Sequence, residues 1–218
     1  MIIFEIDPNT FDGDNNPPQV NVEDIVLVNP KGNWHLYNHG SLELTRDCDK
    51  EYLNLWSYLP HIVVPNILII GGGDYQLVKW ISNYYDSFKI DLVDPYSHMC
   101  EDFHKFYIPQ YYRIKNLVEP IHKTFKKFLE ESYTQKKYDM ICIDISEPML
   151  GITNEIYCEQ FFVDLKALNT EYYQMYMPPT VFNELVPILR KHFQMVSVKS
   201  DFIKDWNEQC DIITFINK

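Results

Sequence analysis

The chain has 218 residues, a hydrophobic fraction of 46% and a formal net charge of −12. This length suits one domain with a small appendage, and the apolar content is ample for a sizeable buried core. The acidic charge excludes nucleic acid as the expected partner, because phosphate backbones are bound by clustered Lys and Arg. It favours a small cationic ligand, although a surface charged only for solubility is an equal alternative.

The cysteines and the histidines show no metal-binding or disulfide pattern. Five scattered cysteines lack CxxC spacing, and seven histidines show no HExxH or comparable motif, so we expect reduced thiols and no metal. The segment MIIFEIDPNTF is too short and too acidic for a signal peptide, and no apolar run reaches the length of a membrane-spanning helix. The expectation is a cytoplasmic protein without a membrane partner.

Residues 1–60 are predicted to form a small β region. Its short strand candidates are separated by the turn-forming segments DGDNNPP and NPKGN. These candidates are Ile2–Ile6, Val20–Val28, Trp34–Tyr37 and Ser41–Thr45. A short helix from Asp49 to about Tyr58 follows, and Pro60 and Pro65 then mark the start of a second domain, residues 61–218.

In residues 61–218, short apolar strands alternate with amphipathic helices. The strand candidates are Ile67–Ile70, Lys89–Val93, Ile114–Val118, Met140–Ile143, Glu171–Met177, Met195–Lys199 and Asp211–Ile216. The helix candidates are Gln76–Tyr85, Ser97–Phe106, Lys123–Ser132, Asn154–Leu168 and Thr180–His192. Strands that alternate with crossover helices form a mainly parallel sheet covered on both faces. The sequence therefore predicts an α/β fold with a doubly wound, Rossmann-like sheet.

The segment NILIIGGGDYQLVKW predicts a ligand-binding turn between a buried strand and a helix. Gly71, Gly72 and Gly73 allow a tight turn and close approach to a ligand at the positive end of the helix. GGGD does not match the dinucleotide fingerprint GxGxxG, and a tight turn without a ligand is the alternative. The next strand ends in Asp94, which is placed to bind ribose hydroxyls or to cap a helix. With Asp74, it predicts a nucleoside lacking a 2′-phosphate.

A third acidic segment, KKYDMICIDISEPMLG, places Asp144 at the end of a buried strand and Glu147 just beyond it. Ligands of open α/β sheets bind outside the carboxyl ends of the strands, so we expect Asp144 to share a crevice with Asp74 and Asp94. Asp144 and Glu147 would then supply a general base and an anchor for an amine. The alternative is that both acids only cap turns.

Taken in order, GGGD, the strand end at Asp94 and the pattern YDxxxxDxSEPxxG resemble the spermidine synthase family of polyamine aminopropyltransferases. The resemblance runs from about Trp34 to the C-terminus. It implies a small N-terminal β domain and a Rossmann-like domain similar to that of class I methyltransferases. It also implies a homodimer that moves the aminopropyl group of decarboxylated S-adenosylmethionine to a polyamine such as putrescine, giving spermidine and methylthioadenosine.

The resemblance assigns roles to individual residues. Asp74 would hold the aminopropyl ammonium of the donor, and Asp94 would hold its ribose. Asp144 would deprotonate the attacking amine, and Glu147 would bind the acceptor. Looser matches assign Glu43 in HGSLEL to the donor, Tyr52 in DKEY to the substrate, Gln174 in EYYQMY to the end of the fifth strand, and Trp206 to the acceptor pocket or the core.

Some positions depart from the family pattern. Tyr75 replaces the glycine after Asp74, Leu53 replaces a common His, and Glu147 is one methylene longer than the usual Asp. The Asp-Gly or Asp-Ala that reads adenine is missing after the strand predicted to end near Val118. Glu119 is its expected substitute.

The departures keep two alternatives open. One is a methyltransferase or lyase that uses S-adenosylmethionine on the same fold. The other is a catalytically inactive member of the family.

Overall fold

The protein is described by a computed structural model covering residues 2–4, 25–28, 35–38, 41–45, 48–56, 59–97, 101–108, 110–132, 136–145, 157–204 and 206–218. The strands are β1 (Ile2–Phe4), β2 (Ile25–Val28), β3 (His35–Asn38), β4 (Ser41–Thr45), β5 (Asn66–Gly71), β6 (Lys89–Val93), β7 (Val118–Ile121), β8 (Met140–Asp144), β9 (Tyr172–Met177), β10 (Phe193–Ile203) and β11 (Glu208–Asn217). The helices are α1 (Cys48–Leu55), α2 (Gln76–Ser82), α3 (Glu101–Tyr107), α4 (Tyr111–Ile114), α5 (Phe125–Ser132), α6 (Glu159–Ala167) and α7 (Pro179–His192).

The described strands form two sheets. Strands β1 to β4 make a four-stranded sheet in chain order, and the others make a seven-stranded sheet in the order β10-β11-β9-β8-β5-β6-β7. Strands β5 to β9 run parallel, whereas β11 is antiparallel to β9 and β10 is antiparallel to β11. The predicted doubly wound, mainly parallel sheet is confirmed.

Helices cover both faces of the larger sheet because its central strands bury alternate side chains on opposite sides. In β5, Ile67 and Ile69 join one core cluster, and Leu68 and Ile70 join the other. Leu36 and Leu44 of the small sheet belong to the first cluster. Helix α1 contacts β4 as well as β10 and β11. The division into domains at residues 60 and 61 stays a prediction.

One predicted strand is wrong. Residues 114–118 were expected to be extended, but the chain forms α4, then a 3₁₀ turn over Lys115–Leu117, and β7 begins only at Val118. Ile114 is buried, and Leu117, three residues later, packs against the same core, which is the spacing of a helical turn. Pro120 lies within β7, which is an edge strand of the described sheet and so tolerates a residue without an N–H.

The order of the strands reverses at β5. From this strand the chain proceeds outwards through β6 and β7, and it then returns to β8 on the other side. Gly71, the last residue of β5, is in register with Asp144, the last residue of β8. Asp94 directly follows β6. Such a switch point is where open α/β sheets bind their ligands.

None of the helices in the described ranges is both long and apolar enough to cross a lipid bilayer.

Candidate active site

The first glycine of the turn is required by the adjacent strand. Gly71 has a φ of 80°, and a Cβ on it would lie 2.0 Å from the carbonyl oxygen of Asp144. The N–H of Gly72 donates to that same carbonyl at 2.8 Å. Only glycine accepts this combination of left-handed backbone and close contact. The turn after β5 is therefore joined directly to the end of β8, which carries Asp144.

The third glycine brings the turn against Asp94. A Cβ on Gly73 would lie 2.7 Å from Cγ of Asp94, so the carboxylate occupies the space that a larger residue needs. Asp94 accepts N–H bonds from Gly73 and Ser97, and from Tyr96 at 2.6 Å. Burial raises the pKa of Asp94, and these bonds and His122 oppose that rise. Main-chain donors thus hold this acid in one orientation.

Asp74 lies at the beginning of α2. Its Oδ1 accepts the N–H of Gln76 at 3.0 Å, and the side chain is half-buried. This bond orients the carboxylate at the helix start, beside the turn that contacts Asp94 and Asp144. The fold therefore brings three acids together around one turn, as the sequence predicts: Asp74, Asp94 and Asp144.

Tyr75, which replaces the family's glycine, has a left-handed backbone with a φ of 69°. This conformation is sparsely populated for a bulky residue and costs on the order of 1–3 kcal/mol. Its ring is buried and stacks on His104, with the centroids 3.6 Å apart and the planes 12° apart. The stack offsets part of the strain. Tyr75 therefore packs its ring into the first core cluster.

His104 supports the turn from below. Its Nε2 lies 2.7 Å from the carbonyl oxygen of Gly73, so this nitrogen carries the proton and donates. Burial lowers the pKa of His104 to about 4, and the ring is neutral above that pH. The sequence reasoning missed this residue, because nothing in the spacing of α3 links it to a turn that precedes it by about thirty residues.

Asp144 is paired with Tyr52. The Tyr52 hydroxyl donates to Oδ1 of Asp144 at 2.6 Å, joining α1 to the end of β8. Burial raises the pKa of Asp144 to about 6; the Tyr52 hydrogen bond opposes this rise, and the charge of Asp94 adds to it. A carboxylate with this pKa is ionised at neutral pH and is still able to accept a proton.

Aromatic rings surround the Tyr52 side chain. Trp56, Tyr176 and Trp206 each make an edge contact with its ring, at centroid distances of 6.1, 5.9 and 5.1 Å respectively. The Tyr176 hydroxyl donates to Oε1 of Glu208 at 2.8 Å. Trp206 lies in the turn between β10 and β11, where it contacts Tyr52 and also packs against the first core cluster, so the choice between the acceptor pocket and the core stays a prediction. The result is an aromatic wall beside Asp144, with an acid at its outer end.

Glu119 does not occupy the position that the sequence suggested. It is the second residue of β7 and pairs with Asp91, so it lies well before the carboxyl end of the strand. The error follows from the misplaced strand at residues 114–118. The strand end is followed instead by His122, whose Nδ1 lies 2.9 Å from the Ser97 hydroxyl. The residue after the end of β7, where the family has its Asp-Gly, is therefore His122 and not Glu119.

Gln174 is also misplaced. It lies in the middle of β9, fully buried, and its Nε2 donates to the sulfur of Met140 at 3.6 Å. The residue on the same face nearer the strand end is Tyr176, two positions later, which the alternation of a strand would have indicated. Glu43 lies in β4, but its side chain is not among those described, and Glu147 lies outside the described residues.

Within the part of the chain that the structure describes, no group of three or more His, Cys, Asp or Glu side chains is placed to hold a metal ion.

Comparisons with known proteins agree with this geometry. The profile described as "Spermine/spermidine synthase domain" matches residues 50–172. The polyamine aminopropyltransferase of Oceanobacillus iheyensis is 26% identical over 145 residues, which is 63% of this chain and 28% of that protein. That of Streptococcus uberis is 29% identical over 147 residues, which is 64% of this chain and 50% of that protein. The chain thus matches half or less of each relative's length.

Solved structures share the fold. Spermidine synthase from Thermotoga maritima has a TM-score of 0.70 and 18% identity, covering 89% of this chain and 69% of that one. A spermidine synthase in complex with the transition state analogue AdoDATO has a TM-score of 0.68 and 17% identity, covering 89% and 68%. At these identities the similarity shows the architecture alone.

Proposed function

This chain belongs to the spermine/spermidine synthase family, and on that premise we propose that it transfers an aminopropyl group from decarboxylated S-adenosylmethionine to a polyamine. The observation that carries the proposal is the Asp144–Tyr52 pair, a half-buried carboxylate whose pKa is raised to about 6, beside an aromatic wall. Such a group suits an acceptor that must lose a proton before it attacks.

The donor would lie along the turn after β5. Asp94, held by three main-chain N–H groups, would accept hydrogen bonds from the ribose hydroxyls. Asp74 would bind the aminopropyl ammonium, because a carboxylate at this position attracts a cation and repels the carboxylate of intact S-adenosylmethionine. Support for this donor comes from the family and from the spermidine synthase solved with AdoDATO.

The acceptor would approach from the aromatic wall. Its methylene groups would pack on Trp206, which is half-buried and whose face also favours a nearby ammonium, whereas Tyr52 and Tyr176 are buried. Glu208, at the outer end of the wall, would offset the charge of the acceptor's distal ammonium. Putrescine, which gives spermidine, is the acceptor that we propose on the basis of the family.

The reaction would be a direct displacement. The nitrogen lone pair of the acceptor attacks the aminopropyl carbon bound to sulfur, and the carbon–sulfur bond breaks with its electrons moving to sulfur. Methylthioadenosine leaves as a neutral thioether, and the proton of the amine passes to Asp144. The protein contributes alignment of the two substrates, an acidic surrounding for their charges and a base of suitable pKa.

The test is a product assay. The chain is incubated with decarboxylated S-adenosylmethionine and either putrescine, cadaverine or spermidine, and products are quantified by mass spectrometry. We expect equal amounts of methylthioadenosine and an aminopropylated amine. Asp144→Asn, checked for folding by circular dichroism, is the matched control and should form both products at least about 100-fold more slowly.

Two outcomes would reject the proposal. One is folded protein that releases no methylthioadenosine with any of these acceptors. The other is S-adenosylhomocysteine formed from S-adenosylmethionine, which would identify a methyltransferase.

A further inference from the structure

Three neighbouring strand ends lie in the order in which the proposed donor would cross them. In the larger sheet, β6 lies between β5 and β7. Asp74 follows β5 and would hold the aminopropyl end of the donor, and Asp94 follows β6 and would hold its ribose. The base is attached on the other side of the ribose, so it would extend towards β7, which is about 4.8 Å further along the sheet. The residue that follows β7 is His122.

The turn that carries His122 is fixed against the end of β6 by main-chain bonds. The N–H of Asp94 donates to the carbonyl oxygen of Ile121 at 3.1 Å, and the N–H of Lys123 donates to the same oxygen at 2.8 Å. The N–H of Lys123 is therefore used within the turn. The group that the turn offers to a ligand is the side chain of His122, which is exposed.

Ser97 determines which nitrogen of His122 carries the proton. Its hydroxyl donates to the carbonyl oxygen of Asp94 at 3.4 Å and lies 2.9 Å from Nδ1 of His122. A hydroxyl has one proton, so both contacts are satisfied together only when Nδ1 of His122 is the donor in its own bond. In the neutral ring Nε2 is then an acceptor. Because Nδ1 lies against the buried Ser97, the exposed edge of the ring is the one that carries Nε2.

We infer that His122 selects an adenine base by accepting a hydrogen bond from the exocyclic amine at Nε2, and that Ser97 is the positioning residue that fixes the required tautomer. Hypoxanthine has a carbonyl oxygen in place of that amine, so two acceptors would face each other without a proton between them. A carboxylate accepts in any protonation pattern of its neighbours, whereas an imidazole accepts at Nε2 only while its proton is on Nδ1. The inference rests on the proposed function, because a nucleoside must occupy the crevice.

The test compares methylthioadenosine with methylthioinosine, which carries hypoxanthine, by calorimetry at pH 8. We expect the wild-type chain to bind methylthioadenosine about tenfold or more tightly, since the other base leaves buried polar groups unpaired. His122→Phe keeps a ring but removes both nitrogens, and it should reduce this preference to about twofold or less. His122→Asp supplies an acceptor again and should restore the preference.

Ser97→Ala tests the positioning role. Without the hydroxyl the ring of His122 can adopt either tautomer, so the preference for methylthioadenosine should fall about threefold or more. The main-chain N–H of Ser97, which donates to Asp94, remains in this variant. A purely structural role of Ser97 would weaken both nucleosides equally and leave the preference unchanged. His61→Phe, on an exposed position before β5, is the control and should alter neither affinity.

The results that reject the inference differ from those that reject the proposed function. Equal affinities of the wild-type chain for the two nucleosides, or a preference that persists in His122→Phe, would overturn the inference alone. An unchanged preference in Ser97→Ala would exclude the fixed tautomer. A folded wild-type chain that binds neither nucleoside would reject the proposed function, and the inference with it.

Discussion

The two sides of the crevice are built in different ways. The donor side consists of the glycine turn and Asp94, which main-chain bonds and close glycine contacts hold together. The acceptor side consists of side chains from α1, β8, β9 and the β10–β11 turn, and ring contacts hold it together. Where main-chain atoms form the contacts, few residue types fit. Where side-chain rings form them, the geometry depends on how elements distant in the sequence pack together. Substitutions on the two sides should therefore have separable effects.

The largest effect is expected from Asp144→Asn on the acceptor side. Loss of the base should lower kcat by about 10²–10⁴, the usual contribution of a positioned acid or base. The affinity for methylthioadenosine should change little, because the donor contacts lie on the other side. Activity assays and calorimetry measure the two quantities. A loss of nucleoside affinity as large as the loss of kcat would contradict the separation.

Asp144→Asn should also stabilise the fold at neutral pH. The folded-state pKa of Asp144, about 6, lies above the ordinary pKa of 3.8, so the native state binds the extra proton and loses stability as pH rises from about 4 to 6. Removing the charge should recover on the order of 1–2 kcal/mol, allowing for partial screening of this half-buried group. Urea unfolding at pH 7.5 measures the gain, which should vanish near pH 4.

The next largest effect is expected from Gly73→Ala, on the donor side. The new Cβ would lie 2.7 Å from Cγ of Asp94, so either the turn or the carboxylate must shift. A displacement of this size should weaken methylthioadenosine binding by about 10–100-fold. Binding is measured by calorimetry.

Gly72→Ala is the matched control for Gly73→Ala. Its φ of 63° makes alanine strained, at about 1–2 kcal/mol, but its Cβ would meet Ile69 at 3.3 Å and Asp144 at 3.5 Å, not Asp94. It should therefore lower stability with a smaller loss of nucleoside affinity. Equal losses in the two variants would show that Asp94 is not the group that the turn positions.

The smallest effect is expected at His104, which supports the donor turn without facing the crevice. His104→Phe should keep a ring against Tyr75 but remove the bond to Gly73, whereas His104→Ala removes both. Methylthioadenosine should bind about threefold more weakly to His104→Phe, because one hydrogen bond is lost. It should bind about tenfold more weakly to His104→Ala, because the ring stack is lost as well. The affinity for the acceptor should not change in either variant.

The lowered pKa of His104 also predicts how the stability of the fold changes with pH. Its folded-state pKa of about 4 lies below the ordinary pKa of 6.5, so the unfolded chain binds the proton more readily. The stability that depends on neutral His104 is present above pH 6.5 and is lost as pH falls towards 4. In His104→Phe this part of the pH dependence should be absent from thermal unfolding curves.

The donor side was largely predictable from the sequence. Three glycines and Asp74 follow one strand, and Asp94 ends the next. Because ligands of open α/β sheets bind outside the carboxyl ends of the strands, these residues are expected at one crevice. The one failure there is local. The mostly apolar residues 114–118 predict a strand but form a helical turn, so the strand ends later than expected and is followed by His122, not Glu119.

The acceptor side was predictable only where the family resemblance supplied a position. Tyr52 came from the short match DKEY, and the structure places it on Asp144. Tyr176 was missed because a tyrosine in a buried strand is most often a packing residue, and Gln174 was chosen instead. Side chains that meet across α1, β8 and β9 leave no spacing pattern in the sequence, since their contacts depend on tertiary packing.

The central claim is that Asp144 is a base whose pKa is set by burial and by Tyr52. It is tested most directly by kcat/KM for aminopropyl transfer as a function of pH in the wild type and in Tyr52→Phe. Both enzymes use the same donor and acceptor, so the ionisation of the amine cancels in the comparison. The wild type should lose activity below pH 6, where Asp144 becomes protonated. In Tyr52→Phe this loss should begin at higher pH, because the hydroxyl that stabilises the carboxylate is gone. Acid limbs that coincide in the two enzymes would contradict the claim.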